Sequence, residues 1–146
     1  MEYEIIEDKT GSITDWVCAE LHLGRGWLGK HVTFGFSLCG KLIGGIIFHD
    51  YRPYIEVWWT IYTTDKRWCN RRLLKFLFSM AFNYLKCRRI SLSVSKENQN
   101  CINLVKKLGF KQEGLLRNYR DDGTDGCIFG MLKSECKWIK QEKKHE

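Results

Sequence analysis

Residues 55–95 read IEVWWTIYTTDKRWCNRRLLKFLFSMAFNYLKCRRISLSVS, and the hydrophobic period changes twice within them. From Ile55 to Tyr62 the period is two. Ile55, Val57, Trp59 and Ile61 fall on one face, with Glu56, Trp58, Thr60 and Tyr62 opposite. From Leu73 to Leu85 it is helical: Leu73, Phe76, Leu77, Met80, Ala81 and Tyr84 form a stripe that Leu74, Phe78, Phe82 and Leu85 widen. Period two returns where Ile90, Leu92 and Val94 alternate with Ser91, Ser93 and Ser95. A strand, a helix apolar enough to lie on a sheet, and another strand make a βαβ unit. Its strands are expected to be parallel neighbours joined by a right-handed crossover.

Upstream, His31–Cys39 and Leu42–His49 are rich in β-branched and aromatic residues, and Gly40-Lys41 offers a two-residue turn between them. With Ile55–Tyr62 they make an antiparallel meander. Tyr3–Ile6 reads as an opening strand. Ser12-Ile13-Thr14-Asp15 supplies caps for a helix through about Leu23. Gly24-Arg25-Gly26-Trp27-Leu28-Gly29 spells G-x-G-x-x-G, but it follows a helix and precedes a strand, the reverse of a dinucleotide site. It reads instead as a loop near the entrance to the site. Downstream, Asn100–Leu108 is a second helix closed by Gly109. Lys111–Gly114 and Cys127–Lys133 form a last strand pair across Asp121-Asp122-Gly123. The sum is an α+β domain with a mixed central sheet and flanking helices, spanning 1–138, followed by a basic tail over 139–146.

Composition fits one globular domain: 146 residues, 44% hydrophobic, 28% charged, with a single proline. The longest apolar run, Leu73–Leu85, is too short to cross a bilayer, and the acidic N-terminus (Glu2, Glu4, Glu7, Asp8) is unlike a signal peptide. A cytoplasmic protein with no membrane partner is expected. The seven cysteines contain no C-x-x-C pair and fit no zinc spacing, so they read as reduced thiols, with no metal. A net charge of +7, concentrated in Lys66–Arg72, Arg88-Arg89 and the tail, points to an anionic partner.

The stretch Asn98-x-x-Cys101-x-x-Leu104-Val105-x-Lys107-Leu108-Gly109-Phe110, followed by Gln112-Glu113-Gly114, resembles the GNAT superfamily of N-acetyltransferases. Leu116-Arg117, Asp122-Gly123, Asp125 and Phe129-Gly130-Met131-Leu132 resemble the closing hairpin of the ribosomal-protein N-acetyltransferase branch. Glu135-Cys136-Lys137-Trp138 is similar to the ending of small bacteriophage GNAT proteins. The resemblance covers about residues 32–138. It implies a sheet whose central parallel strands splay into a V, opening a wedge beside Thr60 and Ser93. It also implies acetyl-CoA as cosubstrate, an amine acceptor (protein, small molecule or nucleobase), and a monomer or homodimer.

One segment departs from the family. Its R/Q-x-x-G-x-G/A loop is here Arg67-Trp68-Cys69-Asn70-Arg71-Arg72, without either glycine. Such a loop works because backbone N–H groups at a helix start cradle a pyrophosphate. Glycine eases close approach, but the donors belong to the backbone. Asn70 tolerates a left-handed conformation and can stand at the first glycine position. Arg71 and Arg72 can add charge-assisted phosphate contacts at a helix end where cations are otherwise unfavourable.

The resemblance further implies that the pantetheine arm lies along Ile61 and Tyr62 and touches Asn98, which doubles as a helix cap. A backbone N–H near Thr60 would hold the developing oxyanion. Glu56, eleven residues before Arg67, matches the family's glutamate base, and aromatic surroundings would raise its pKa. The family's tyrosine acid falls at Val105, leaving Tyr119 or Ser93 to substitute, or the CoA thiolate to depart unaided. A competing reading is a non-catalytic module binding acyl-CoA or nucleic acid through the basic Arg67–Arg72 loop and its tryptophan. A third is a protein-binding inhibitor acting through Trp16, Trp27 or Trp68.

Overall fold

The computed structural model describes residues 2–24 and 26–141. Its strands are β1 (Tyr3–Glu7), β2 (His31–Leu38), β3 (Lys41–Arg52), β4 (Glu56–Thr63), β5 (Arg89–Ser95), β6 (Lys111–Leu116) and β7 (Gly126–Leu132). Its helices are α1 (Ser12–Glu20), α2 (Arg71–Ser79) and α3 (Gln99–Leu108). The strands form one seven-stranded sheet in the order β1-β2-β3-β4-β5-β7-β6. Among the described residues only the β4–β5 pair is parallel, as the βαβ reading requires. This is the α+β mixed sheet expected from the alternation. No described helix is long and apolar enough to cross a membrane.

The two faces of β4 separate as the period predicts. Val57 and Trp59 are buried beneath α2, where Phe78 meets the Trp59 ring at 4.9 Å. This side holds the main core, with Leu73, Leu77 and Phe82 from α2 and its continuation, and Ile102, Val105 and Leu108 from α3. The opposite face of the sheet carries α1 over Ile47 and Tyr62. Room for α1 comes from missing side chains. A Cβ on Gly45 would stand 2.6 Å from Val17 Cγ2, and one on Gly35 2.7 Å from Ile13 Cδ1. Gly45→Ala is therefore expected to cost about 1–3 kcal/mol through overpacking, read as a lower urea midpoint at unchanged m-value. An unchanged midpoint would show that α1 sits looser than this contact.

Local chemistry differs from expectation at several joints. Helix α1 is capped not by Ser12 or Asp15 but by Asp8, whose carboxylate accepts from the backbone N–H groups of Gly11 (3.0 Å) and Thr14 (2.8 Å). It also ends at Glu20, since His22 turns left-handed at φ 57°. The β2–β3 turn is Cys39-Gly40, one residue earlier than Gly40-Lys41. Leu38 pairs with Lys41, and both turn residues take positive φ (51° and 82°), which suits strand twist. Beyond Ser79 the α2 spiral widens to a π-turn over Met80–Tyr84, with Leu85 N donating to Met80 O. Contacts with the rest of the chain continue past 138. Ile139 is buried and Gln141 donates to the carbonyls of Lys133 and Cys136, while 142–146 lie outside the described residues.

Candidate active site

Parallel pairing between β4 and β5 holds at four residue pairs, Glu56–Arg89 through Trp59–Leu92, and then stops. Both strands continue, β4 to Thr63 and β5 to Ser95. Each stays paired on its outer side, to β3 as far as Thr63–Gly44 and to β7 as far as Ser95–Gly126. The inner edges thus diverge into the V. A cavity of about 660 Å³ opens at the divergence, with Trp59, Thr60 and Ser93 on its wall. The loop before β2 reaches its rim through Leu23 and Trp27, and Gly24 N donates to Asp121 Oδ2 from the β6–β7 connection. The G-x-G-x-x-G loop therefore borders the site, apart from Arg25, which lies outside the described residues.

Glu56 sits low in this cavity with its carboxylate already engaged. Arg52 Nη1 donates to Oε2 at 3.0 Å, Ser91 Oγ to Oε1 at 3.3 Å, and Arg89 Nε lies 4.0 Å away. The carboxylate itself is contacted by two guanidiniums and a hydroxyl, while Trp27, Tyr51 and Trp58 line the cavity around it. Thr60, the first residue past the last pair, bonds His49 Nε2 through Oγ1 at 2.8 Å, and His49 Nδ1 bonds Asp50 Oδ2 at 2.6 Å. His49 is buried against the edge of Trp27, and burial depresses its pKa below the ordinary 6.5 against the opposing pull of Asp50. Tyr119 lines the cavity half-exposed, lying over Gly126, where a Cβ would meet its ring at 2.7 Å. Arg120 Nη1 donates to Ser93 Oγ at 2.8 Å.

The loop expected to hold a pyrophosphate is built differently from a glycine cradle. Asn70 is extended (φ −97°), not left-handed, and its Oδ1 caps α2 by accepting from Leu73 N at 2.9 Å. Asn70 O takes the Leu74 N–H, so the helix-start donors without intrahelical acceptors are those of Arg71 and Arg72. Both arginine side chains are exposed. The Arg67 guanidinium lies on Asp65, whose carboxyl it holds down at about 2. Trp68 corrects the reading most. Its indole is 1% exposed and stacks on Phe36, while its backbone N–H donates to Asp65 O and its backbone carbonyl accepts from the Tyr3 hydroxyl. It is a core residue, unavailable to stack on a base or dock a partner. Cys69 is half-buried, and burial raises its thiol pKa. Asn98 caps α3 through Cys101 N at 3.2 Å. Ile61 packs against the main core, while the Tyr62 hydroxyl donates to Glu20 on the α1 side.

The residues that sequence reasoning missed are His49 and Asp50. His49 ends the predicted strand Leu42–His49 and Asp50 follows it, and only the β3–β4 register, pairing Ile47 with Thr60 and His49 with Trp58, brings the imidazole to the threonine.

A parallel strand pair that diverges beside a cavity leaves unpaired backbone edges where a ligand can bind. Residues 28–125 match the family model described as the acetyltransferase (GNAT) domain, and the chain belongs to that family. As a member it is an N-acetyltransferase that draws its acetyl group from acetyl-CoA. No curated protein sequence matches it. Among solved structures it is similar to a spermidine N-acetyltransferase chimera of Vibrio cholerae SpeG and hSSAT. That match has a TM-score of 0.73 at 17% identity, covering 92% of this chain and 98% of that one. A mutant of the Vibrio cholerae spermidine/spermine N-acetyltransferase matches at TM-score 0.74 and 16% identity, covering 90% and 94%. A dodecameric form of that organism's spermidine N-acetyltransferase matches at 0.72 and 17%, covering 90% and 94%.

Proposed function

We propose that the chain acetylates a positively charged aliphatic amine by direct attack of that amine on acetyl-CoA lying in the β4–β5 gap. The observation that carries this is the break in pairing after Trp59 and Leu92, opening directly onto the cavity. The unpaired inner edges at Thr60–Thr63 and Ser93–Ser95 have lost their ladder partners, and the pantetheine amides can replace them. The arm then runs past Ile61, Tyr62 and Asn98 toward Arg71 and Arg72, with their free helix-start N–H groups and guanidiniums on the pyrophosphate. Arg67, Cys69 and Asn70 border that site, and Trp68 holds its loop down from within. The backbone at Thr60 faces the thioester carbonyl.

The cavity favours a cationic acceptor. Asp50, Glu56 and Asp121 outnumber Arg52 and Arg120, which bond Glu56 and Ser93, and Trp27, Tyr51 and Trp58 supply aromatic wall. Glu56 takes the first proton, from the ammonium. Tyr119 lines the same cavity, where its hydroxyl can hydrogen-bond the acceptor. A small amine such as a polyamine fits this lining, and the spermidine acetyltransferases are its structural neighbours.

CoA binding is the first test. Ligand that binds only the native state raises the melting temperature, by the equivalent of about 2.7 kcal/mol at a hundredfold excess over Kd. Purified protein should show that rise, and acetyl-CoA with a panel of primary amines should yield acetylated product by mass spectrometry. No rise with CoA, together with salt-sensitive binding to single-stranded nucleic acid, would reverse the assignment.

A further inference from the structure

We propose that Thr60, His49 and Asp50 form a proton relay that carries the second proton of the attacking nitrogen to the departing sulfur of CoA. The proposal rests on the acetyl-transfer reading and fills a place that reading leaves empty. An ammonium acceptor loses two protons on becoming an amide, and one of them is needed on the thiolate. Val105, where the resemblance puts a tyrosine acid, is an aliphatic core residue of α3 and donates nothing.

The hydrogen bonds fix the direction of the chain. An ionised carboxylate only accepts, so the 2.6 Å contact places the His49 proton on Nδ1 and leaves Nε2 with a lone pair. Nε2 therefore accepts from Thr60 Oγ1–H at 2.8 Å, and the threonine oxygen keeps its own lone pairs for a donor in the cavity. A buried histidine that merely satisfies itself needs no such place. This one is bonded to Thr60, the first residue beyond the strand break and beside the gap assigned to the thioester. Its partner Asp50 is kept in a left-handed conformation, φ 49°, at an irregularity in the β3–β4 register between His49 and Arg52. Non-glycine residues persist in that region when the surroundings hold them there. The Asp50 side chain is otherwise largely exposed, so its bond to His49 is its main anchor.

The step balances. The neutral amine, freed of its first proton by Glu56, attacks the carbonyl carbon, and a C–N bond forms as the carbonyl pair moves to oxygen. The adduct's N⁺–H gives its proton to Thr60 Oγ1, which passes its own to His49 Nε2, and Asp50 compensates the imidazolium. As the carbonyl re-forms, the C–S pair leaves on sulfur. The proton returns through Thr60 to the thiolate, and neutral His49 is restored. The charged groups around His49 are Asp50 and Arg52 on its strand, His31 opposite on β2, Glu56 on β4, and Arg120 and Asp121 across the cavity. Burial, the largest influence, keeps the imidazole neutral at neutral pH and so able to accept. Turnover should be full above the His49 pKa and fall as pH drops through it, below 6.5.

The test has two arms. In the first, side-chain ¹⁵N spectra of the wild-type protein should show His49 neutral at pH 7.5, with Nδ1 protonated and Nε2 not. The opposite tautomer overturns the relay whatever the kinetics show. In the second, turnover is measured with acetyl-CoA and spermidine as probe amine, alongside CoA-dependent stabilisation to confirm folding. His49→Gln and Thr60→Val should each lose about 10²–10⁴-fold in kcat with KM for acetyl-CoA unchanged. Thr60→Ser, which keeps the hydroxyl, should retain most activity. The His49→Gln deficit should persist above the pKa of the amine, because the adduct must still shed its proton there. Wild-type transfer with His49→Gln unaffected, or equal losses in Thr60→Ser and Thr60→Val, overturns the relay alone. A wild-type protein that binds CoA and acetylates no amine overturns the acetyl-transfer reading and the relay with it.

Discussion

Glu56→Gln is expected to leave CoA-dependent stabilisation intact and to lower turnover by about 10²–10⁴-fold, the usual yield of a positioned base. The loss should be greatest below the pKa of the acceptor amine, where nearly every acceptor arrives as an ammonium. Above that pKa the amine arrives neutral, and the deficit should shrink toward zero. Glutamine keeps the shape and can still accept from Arg52 and Ser91, so the cavity floor should hold. It leaves Arg52 and Arg89 without their carboxylate, and any structural share of the effect would appear as a pH-independent drop in melting temperature. Equal turnover in mutant and wild type at every pH assigns the first proton to water. A pH-independent deficit with a lowered melting temperature marks Glu56 as scaffolding for the two arginines.

The second large effect is on the cofactor. Replacing Arg71 and Arg72 together by alanine should weaken CoA by about 10²–10⁴-fold, if each guanidinium contributes the roughly 1.5–3 kcal/mol of a charge-assisted hydrogen bond. Pantetheine, which carries no phosphate, should bind both proteins equally. The apo mutant should be as stable as the wild type or slightly more so, because two cations at the positive end of α2 oppose its dipole. Weaker CoA without a loss of stability is the signature of residues kept for an anion. Parallel losses for CoA and pantetheine would place the phosphates elsewhere.

How far the sequence disclosed this molecule depends on the range of the interactions involved. The faces of β4 were legible because burial repeats every second residue, and α2 because its stripe repeats every 3.6. Parallel pairing of β4 with β5 followed from the apolar helix that connects them. The position of β7 between β5 and β6 had no local signal, since it depends on which edge a distant strand finds. Short-range errors had short-range causes. Cys39 adopts a turn conformation its side chain does not advertise, and Asp8 caps α1 from outside the expected Ser12–Asp15 run. Trp68 lies among cations in a non-periodic segment, so nothing nearby marked it for the core. Glu56 was reached through the family resemblance, which its place on a regular strand made easy to align. His49 and Asp50 were not, because their chemistry exists only once two strands are in register.

The divergence of β4 from β5 also has a mechanical meaning. The sheet is two plates, β1-β2-β3-β4 and β5-β7-β6, each laced by antiparallel bonds along its length, while the seam between them is stitched over four residue pairs at one end. Beyond that stitch the plates are joined through the core beneath α2, where packing resists compression better than shear. A ligand whose amides bond both inner edges lengthens the seam from its open end. Cofactor binding should therefore stiffen the protein across the strands rather than along them. The Thr60 side of the seam and the Ser93 side would become one lever, so the acceptor would meet a rigid wall only when the acetyl donor is already in place.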